Sequence, residues 1–305
     1  MNRPIAPSSS TRIRAHPLTR RNVPEVGAMR LDEPEHSATE RRSIIMKSIG
    51  HSGGNPAILK LNQAGTLEER DLSKLSAITC TSYLIDGKRD IIQQGEPPKD
   101  VHLMMSGLAC RYKMLPDGSR SIMALLVPGD FCDLHVAILG HMDHGIGTLA
   151  PSRVVDIPRE IIDDLTSNEP RITRTLWWAT LVDEAILREW LVSMGRRRAM
   201  ERVAHLLCEL EVRLKTVHLS EGGSFELPIN QETLADMLGM SLVHVNRMLQ
   251  KLSKDRLISI SGKTVTIHDR AALWDFAGFD PGYLHLSRHS LAALVDVGCV
   301  AEASA

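Results

Sequence analysis

Between residues 60 and 160 the apolar positions come in short runs: IIQQGE, DVHLMMSG, ACRYKML and SIMALLVPGDF. Gly, Pro and Asp separate them. Short strands with turn signals every ~8–12 residues predict a closed, jelly-roll-like β-roll. Pro116-Asp117-Gly118 between two runs is the clearest hairpin turn, because Asp-Gly tolerates the positive φ that such a turn demands. Ser106-Gly107 and Gly129-Asp130 punctuate the other runs, and a leucine-bearing segment before them (Leu67, Leu72, Leu75) reads as a helix. A roll of this kind encloses a cavity suited to a small ligand.

The runs then lengthen. From Glu169 to Met194 there is no Gly, and no Pro after Pro170. One long helix is predicted, with Asn168 as its cap and Pro170 in its first turn. Ile172, Leu176, Ala179, Val182 and Ile186 form one apolar stripe, while Trp177, Leu181, Leu187 and Leu191 form a second. A helix apolar on two faces packs against its own domain and against something else, most simply the same helix of a second subunit. Trp177, Trp178 and Trp190 read as packing anchors. Gly195 is predicted to break the helix as a hinge, and a second amphipathic helix runs from Arg196 to Lys215 through Val203, Leu206, Leu207 and Leu210.

Residues 227–268 read LPINQETLADMLGMSLVHVNRMLQKLSKDRLISISGKTVTIH. Asn230 caps a helix from Gln231 to Leu238, with Leu234, Ala235 and Leu238 facing inward. Gly239 supplies the turn, and Ser241 caps a second helix to about Ser253 with Val245, Met248, Leu249 and Leu252 inside. Two short helices around a tight Gly-containing turn form a helix-turn-helix. Leu257-Ile258 and Val265-Thr266-Ile267 around Gly262-Lys263 add a hairpin wing. The outer side of the second helix offers His244, Asn246, Arg247, Gln250, Lys251 and Lys254, with no acid before Asp255. Asn, Gln and Arg pair with base edges and Lys suits phosphate. A basic solvated helix face is common, but here it coincides with the cap–helix–Gly–cap–helix–wing order, and the agreement points to double-stranded DNA.

Charge sharpens this picture. The 305 residues carry 36 Lys and Arg against 37 Asp and Glu, so a nucleic-acid contact has to come from a local patch. Residues 196–268 hold eleven Lys and Arg against eight acids. Residues 1–56 hold six Pro, the tract Ser8-Ser9-Ser10 and little apolar periodicity. They are expected to be a disordered extension, or sequence ahead of a later start at Met29 or Met46. No apolar run approaches ~18 residues, so no membrane span is expected, and a cytoplasmic protein is. The five cysteines, Cys80, Cys110, Cys132, Cys208 and Cys299, form no CxxC pair, which suits a reducing compartment.

On IIQQGE, LPDGS…LLVPGDF, the long helix and NQETLADMLGMSLVHVNRMLQKLSKDRLI, residues 65–268 resemble the Crp/Fnr family of bacterial transcription regulators. The resemblance implies an α+β architecture: an N-terminal β-roll sensory domain (57–168), a dimerisation helix (169–195) and a C-terminal winged helix-turn-helix domain (196–269). An extension (270–305) follows, in which Trp274, Phe276, Phe279 and Tyr283 are expected to pack back onto the winged domain. The last five residues are expected to fray. The family reading implies a homodimer on a palindromic operator, acting as activator or repressor, with RNA polymerase a further candidate partner. Gln231 falls where the family contacts phosphate, and Ser241 and Arg247 fall on its recognition-helix cap and a preferred DNA-contacting Arg. The family's frequent Arg-Glu pair after that Ser is Leu242-Val243 here. Base preference is therefore expected to differ from the cyclic-AMP receptor consensus. The candidate DNA-binding set is Gln231, Ser241, Val243, His244, Asn246, Arg247, Gln250 and Lys251.

Family members that hold cyclic AMP use a Gly-Glu and an Arg-Ser pair around the phosphate. Here the Glu slot lies near Leu134, and no Arg occurs between Arg120 and Arg153, so cyclic AMP is not expected. The oxygen-sensing members' N-terminal cysteine cluster is absent, since no Cys precedes Cys80. No cofactor is expected, and no catalytic triad, phosphate loop or paired-carboxylate motif is legible. The rival reading is a cupin-like metal enzyme or metal sensor using His135, His141 and His144. A loop histidine is more often solvated. A thiol sensor at Cys110 or Cys132 is weaker still, since buried cysteines are inert.

Overall fold

The structure, a computed structural model, describes residues 54–295. The expectations for residues 1–53, for Cys299 and for the final residues lie outside that range. Three residues assigned to the extension do not: Asn55 caps helix α1 (Pro56–Leu61) by accepting from the Ala57 and Ile58 N–H groups, and donates to Thr79. The helical entry is thus tied down before the first strand, with a 3₁₀ turn (Asn62–Ala64) and α2 (Glu69–Ile78) following.

The roll comprises β1 (Tyr83–Ile85), β2 (Asp90–Ile92), β3 (Asp100–Ser106), β4 (Ala109–Met114), β5 (Arg120–Leu126), the single turn α3 (Val136–Leu139), β6 (Gly145–Thr148) and β7 (Ser152–Pro158). Two antiparallel sheets, β1-β7-β3 and β2-β6-β4-β5, enclose its core. Leu103, Met104, Leu126, Ile146, Val154 and Val155 are buried there. The Pro116-Asp117-Gly118 turn joins β4 to β5 as expected, with Gly118 at φ +83°. At Gly107 (φ +81°) an added Cβ would sit 2.4 Å from Ser152 Oγ, so the β3–β4 turn requires glycine there.

Helix α4 (Arg159–Asn168) leads into α5 (Pro170–Arg196). Asn168 does not cap α5. It ends α4, its side chain donating to Asp164, and Glu169 takes the boundary position without a side-chain cap. Nor does Gly195 break the helix. It continues through Arg196, because the inward packing of Ser193 and the turn's hydrogen bonds outweigh the modest cost of a helical Gly. The break comes at Arg197, extended at ψ 142°, and it is tied. Arg197 donates to Glu189 and to the Ala277 and Gly278 carbonyls, while Arg202 donates to the Met194, Arg197 and Leu238 carbonyls.

The two stripes of α5 separate as predicted. Ile172, Leu176, Ala179, Val182 and Ile186 are buried in the subunit; Trp177 (67% exposed), Leu181, Leu187 and Leu191 (75%) are bare. Trp178 and Trp190 pack against the core, but Trp177 does not, so only two of the three tryptophans anchor the subunit itself.

Helix α6 (Ala199–Lys215), β8 (Ser220–Glu221), β9 (Ser224–Glu226), α7 (Gln231–Leu238), α8 (Leu242–Lys254), β10 (Ile258–Ser261) and β11 (Thr264–Ile267) follow. The wing hairpin belongs to a four-stranded sheet, β10-β11-β9-β8. Then come α9 (Arg270–Ala277), a 3₁₀ turn (Pro281–Leu284) and α10 (Arg288–Val295). This extension packs on α6 and α5. His205 is 2% exposed, its ring edge-on to Phe279 (5.1 Å) and stacked on Tyr283 (6.0 Å). Glu189 lies 3.4 Å from His205 Nε2 but is held by Arg197 at 2.6 Å, and Nε2 has no hydrogen-bond partner. Burial, reinforced by the Arg197 charge, drives the His205 pKa down to about 3.

A buried ion chain joins the roll to α6. Lys60 pairs with Asp130 at 2.5 Å, Asp130 with Arg213 at 2.6 Å, and Arg213 with Glu209 at 2.9 Å. Trp190 and Tyr283 also donate to Glu209. Burial works against the Asp130 charge, but Lys60 and Arg213 outweigh it and hold its carboxyl below the usual range.

Candidate nucleic-acid interface

Local chemistry fixes both helices of the pair. Asn230 Oδ1 accepts from the Thr233 N–H at 2.8 Å, and Ser241 Oγ accepts from the His244 N–H at 3.3 Å. Each satisfies a backbone donor that the first turn leaves free. Gly239, at φ +60°, makes the turn between them, and a Cβ there would meet Met194 Cε at 2.7 Å.

On α8, Val245, Met248, Leu249 and Leu252 are buried. Val243, Asn246, Arg247, Gln250, Lys251 and Lys254 follow the i, i+3, i+4, i+7, i+8, i+11 spacing of one face. Val243 is 78% exposed and Arg247, Gln250, Lys251 and Lys254 are exposed; His244 and Asn246 are half-buried at the margins. Among the described residues no carboxylate pairs with Arg247, Lys251 or Lys254, so three cations remain available on one face. Gln231 is exposed at the first position of α7, and Lys263 is exposed at the wing tip beside Gly262 (φ +61°).

Between the roll and α5 lies a cavity of about 390 Å³, lined among others by Arg111, Phe131, Leu134, His135, His144 and Asp183. Arg111 was not singled out from sequence, since nothing local marks a β4 residue as reaching this space. It donates to the Cys132 and Phe131 carbonyls and pairs with Asp183 at 2.6 Å, so its charge is already matched. Burial raises the Cys110 thiol to about 11 and pushes Cys132 well above its ordinary value, which makes neither a reactive thiolate.

The three histidines of the rival reading do not converge. His141 is exposed and stands apart, whereas His135 and His144 meet, with Asp143 as the third member of the group. Their ring centroids are 5.3 Å apart. Burial, with the nearby Arg111 charge, lowers the pKa of both imidazoles.

Residues 87–169 match the cyclic nucleotide-binding domain model and residues 201–276 the Crp-like helix-turn-helix domain model. The chain is 29% identical over 196 residues to the transcriptional activator protein FnrL of Cereibacter sphaeroides, covering 62% of this chain and 77% of that one. It is 26% identical over 185 residues to the nitrogen fixation regulation protein FixK of Azorhizobium caulinodans, covering 60% and 74%. The solved structure of FixK2 from Bradyrhizobium japonicum superposes with a TM-score of 0.60 at 25% identity, covering 66% of this chain and 98% of that one. With a cyclic-nucleotide-binding-type roll, a long helix and a Crp-like helix-turn-helix in one order, this chain belongs to the Crp/Fnr family of DNA-binding transcription regulators.

Proposed function

We propose that the protein is a homodimer that reads a two-fold symmetric operator with α8 in the major groove, and that it regulates transcription by binding rather than by catalysis. The observation that carries this is the unpaired basic face of α8. Arg247, Asn246 and Gln250 offer base-edge contacts, Lys251 and Gln231 offer phosphate contacts, Ser241 holds the helix start, and Val243 and His244 supply shape and a further polar edge. The bare Trp177–Leu181–Leu187–Leu191 stripe supports α5 as the dimer seam, which would set the two α8 helices in successive major grooves. The chromosome places such a protein in the cytoplasm, where RNA polymerase is the natural further partner. The roll's ligand is not cyclic AMP in this reading, because Arg111, the one Arg among the described residues that lines the cavity under α5, is committed to Asp183 and two carbonyls.

The test is fluorescence anisotropy of the full chain on its own upstream DNA and on scrambled DNA, at two salt concentrations. Specific binding with a steep salt slope is expected. Arg247→Ala should cost ~1–3 kcal/mol on the specific duplex. Equal affinity of wild type and R247A on the specific duplex would remove α8 as the reading element.

A further inference from the structure

The group His135, Asp143 and His144 is not used by the DNA-reading account, and three observations about it agree. First, one donor atom from each residue lies within 4.8 Å of the other two. Second, His144 is only 6% exposed and His135 half-buried, both rings line the cavity under α5, and the Nε2 atoms of both have no hydrogen-bond partner. Third, His144 Nδ1 donates to Asp143 Oδ1 at 2.7 Å. A carboxylate on Nδ1 fixes the tautomer and leaves the Nε2 lone pair bare, which is how metal-bound histidines are usually oriented. Two buried aromatic nitrogens without partners are costly unless something accepts their lone pairs.

We propose that the Nε2 atoms of His135 and His144 form a site for one divalent transition-metal ion that imidazole favours, such as zinc or nickel, with the Asp143 carboxylate on His144 Nδ1 orienting that ring. Two imidazole nitrogens suit that class and not calcium or magnesium, which take oxygen donors. Bonds of about 2.0–2.1 Å set the distance at which both Nε2 atoms must meet the ion, so the rings have to draw in. His135 is the N-terminal boundary residue of α3, a single helical turn ending at Gly140 (φ +77°), whereas buried His144 immediately precedes β6, so the His135 ring is the one free to move. Binding would pin α3, whose Ile138 and Leu139 are exposed; Leu139 lines the cavity together with Leu187 of α5. The ion would thereby bias the geometry of the helix assigned to the dimer seam. That regulatory consequence rests on the function proposed above; the metal site itself does not.

The experiment uses the tag-free full chain, stripped with chelator and titrated with Co²⁺ and Zn²⁺. Visible d–d absorption and calorimetry report the ion directly, without DNA. One equivalent per subunit is expected for the wild type and for His141→Ala. Asp143→Asn should bind about 10–100-fold more weakly, and His135→Gln and His144→Gln should lose stoichiometric binding while keeping the wild-type circular dichroism spectrum. Absence of a stoichiometric ion on the wild type overturns the proposal, as does retention of it by both Gln variants. Should either Gln variant misfold, Asp143→Asn decides alone, since its side chain is exposed and unchanged affinity there removes the site. DNA anisotropy with and without Zn²⁺ then reads the regulatory consequence separately.

Discussion

His205 offers a quantitative handle on how the DNA-reading half is held together. Its folded pKa is about 3 against 6.5 for the free side chain. A base whose folded pKa is depressed binds its proton more readily when unfolded. Its contribution to stability is therefore complete above pH 6.5 and is lost as the pH falls toward 3. At pH 5 the unfolded imidazole is almost fully protonated and the folded one is not. The difference is about 1.5 pK units, or on the order of 2 kcal/mol. Solvent screening takes little from this figure, because His205 is buried, edge-on to Phe279 and stacked on Tyr283. The assay is urea unfolding of wild type and His205→Phe at pH 7 and pH 5, at one fixed protein concentration. The Phe ring keeps the aromatic packing and removes the proton. Carboxylates titrate alike in both proteins and cancel in the double difference. Wild type should lose about 2 kcal/mol more than the variant on acidification. Equal losses, within the error of extrapolation, would mean that His205 is solvated or paired in the folded protein, and the reasoning from burial would fail.

Arg213→Met should cost about 3–5 kcal/mol by urea titration, because Asp130 and Glu209 are left as buried charges short of a partner; a loss under about 1 kcal/mol would show the chain relaxing into water. Leu191→Glu places a charge on the bare stripe of α5. In sedimentation velocity it should convert a dimer to monomers with unchanged far-ultraviolet circular dichroism, and a persistent dimer would move the interface elsewhere.

The helix-turn-helix was legible almost to the residue. Its boundaries are written by Asn230, Gly239 and Ser241, each acting on a backbone group within three or four positions. The two stripes of α5 were legible for the same reason: helical periodicity carries burial directly. Misplaced boundaries arose where tertiary packing overrode propensity, as at Gly195, or where a neighbouring helix claimed the presumed cap, as at Asn168. Arg111, Asp130 and Arg213 could not be read from sequence as partners. Their contacts span 72 positions for Arg111–Asp183 and 83 for Arg213–Asp130, and nothing in local spacing signals them. His135, His141 and His144 were all singled out, and the structure brings His135 and His144 together with Asp143 while His141 faces solvent. Loop positions three apart differ in burial once the chain is folded.

The ion chain from Lys60 to Glu209 also dictates where this regulator can be cut and rejoined. A chimera joined between α5 and α6, keeping this roll and borrowing a foreign reading half, would enclose Asp130 without Arg213 and leave Trp190 without Glu209. Such a hybrid should be insoluble however well its operator is chosen. A transplant confined to residues 241–254 disturbs none of these partners. On the function proposed above, re-addressing the protein to a new operator is a matter of one exposed helical face, and the rest of the wiring can be inherited intact.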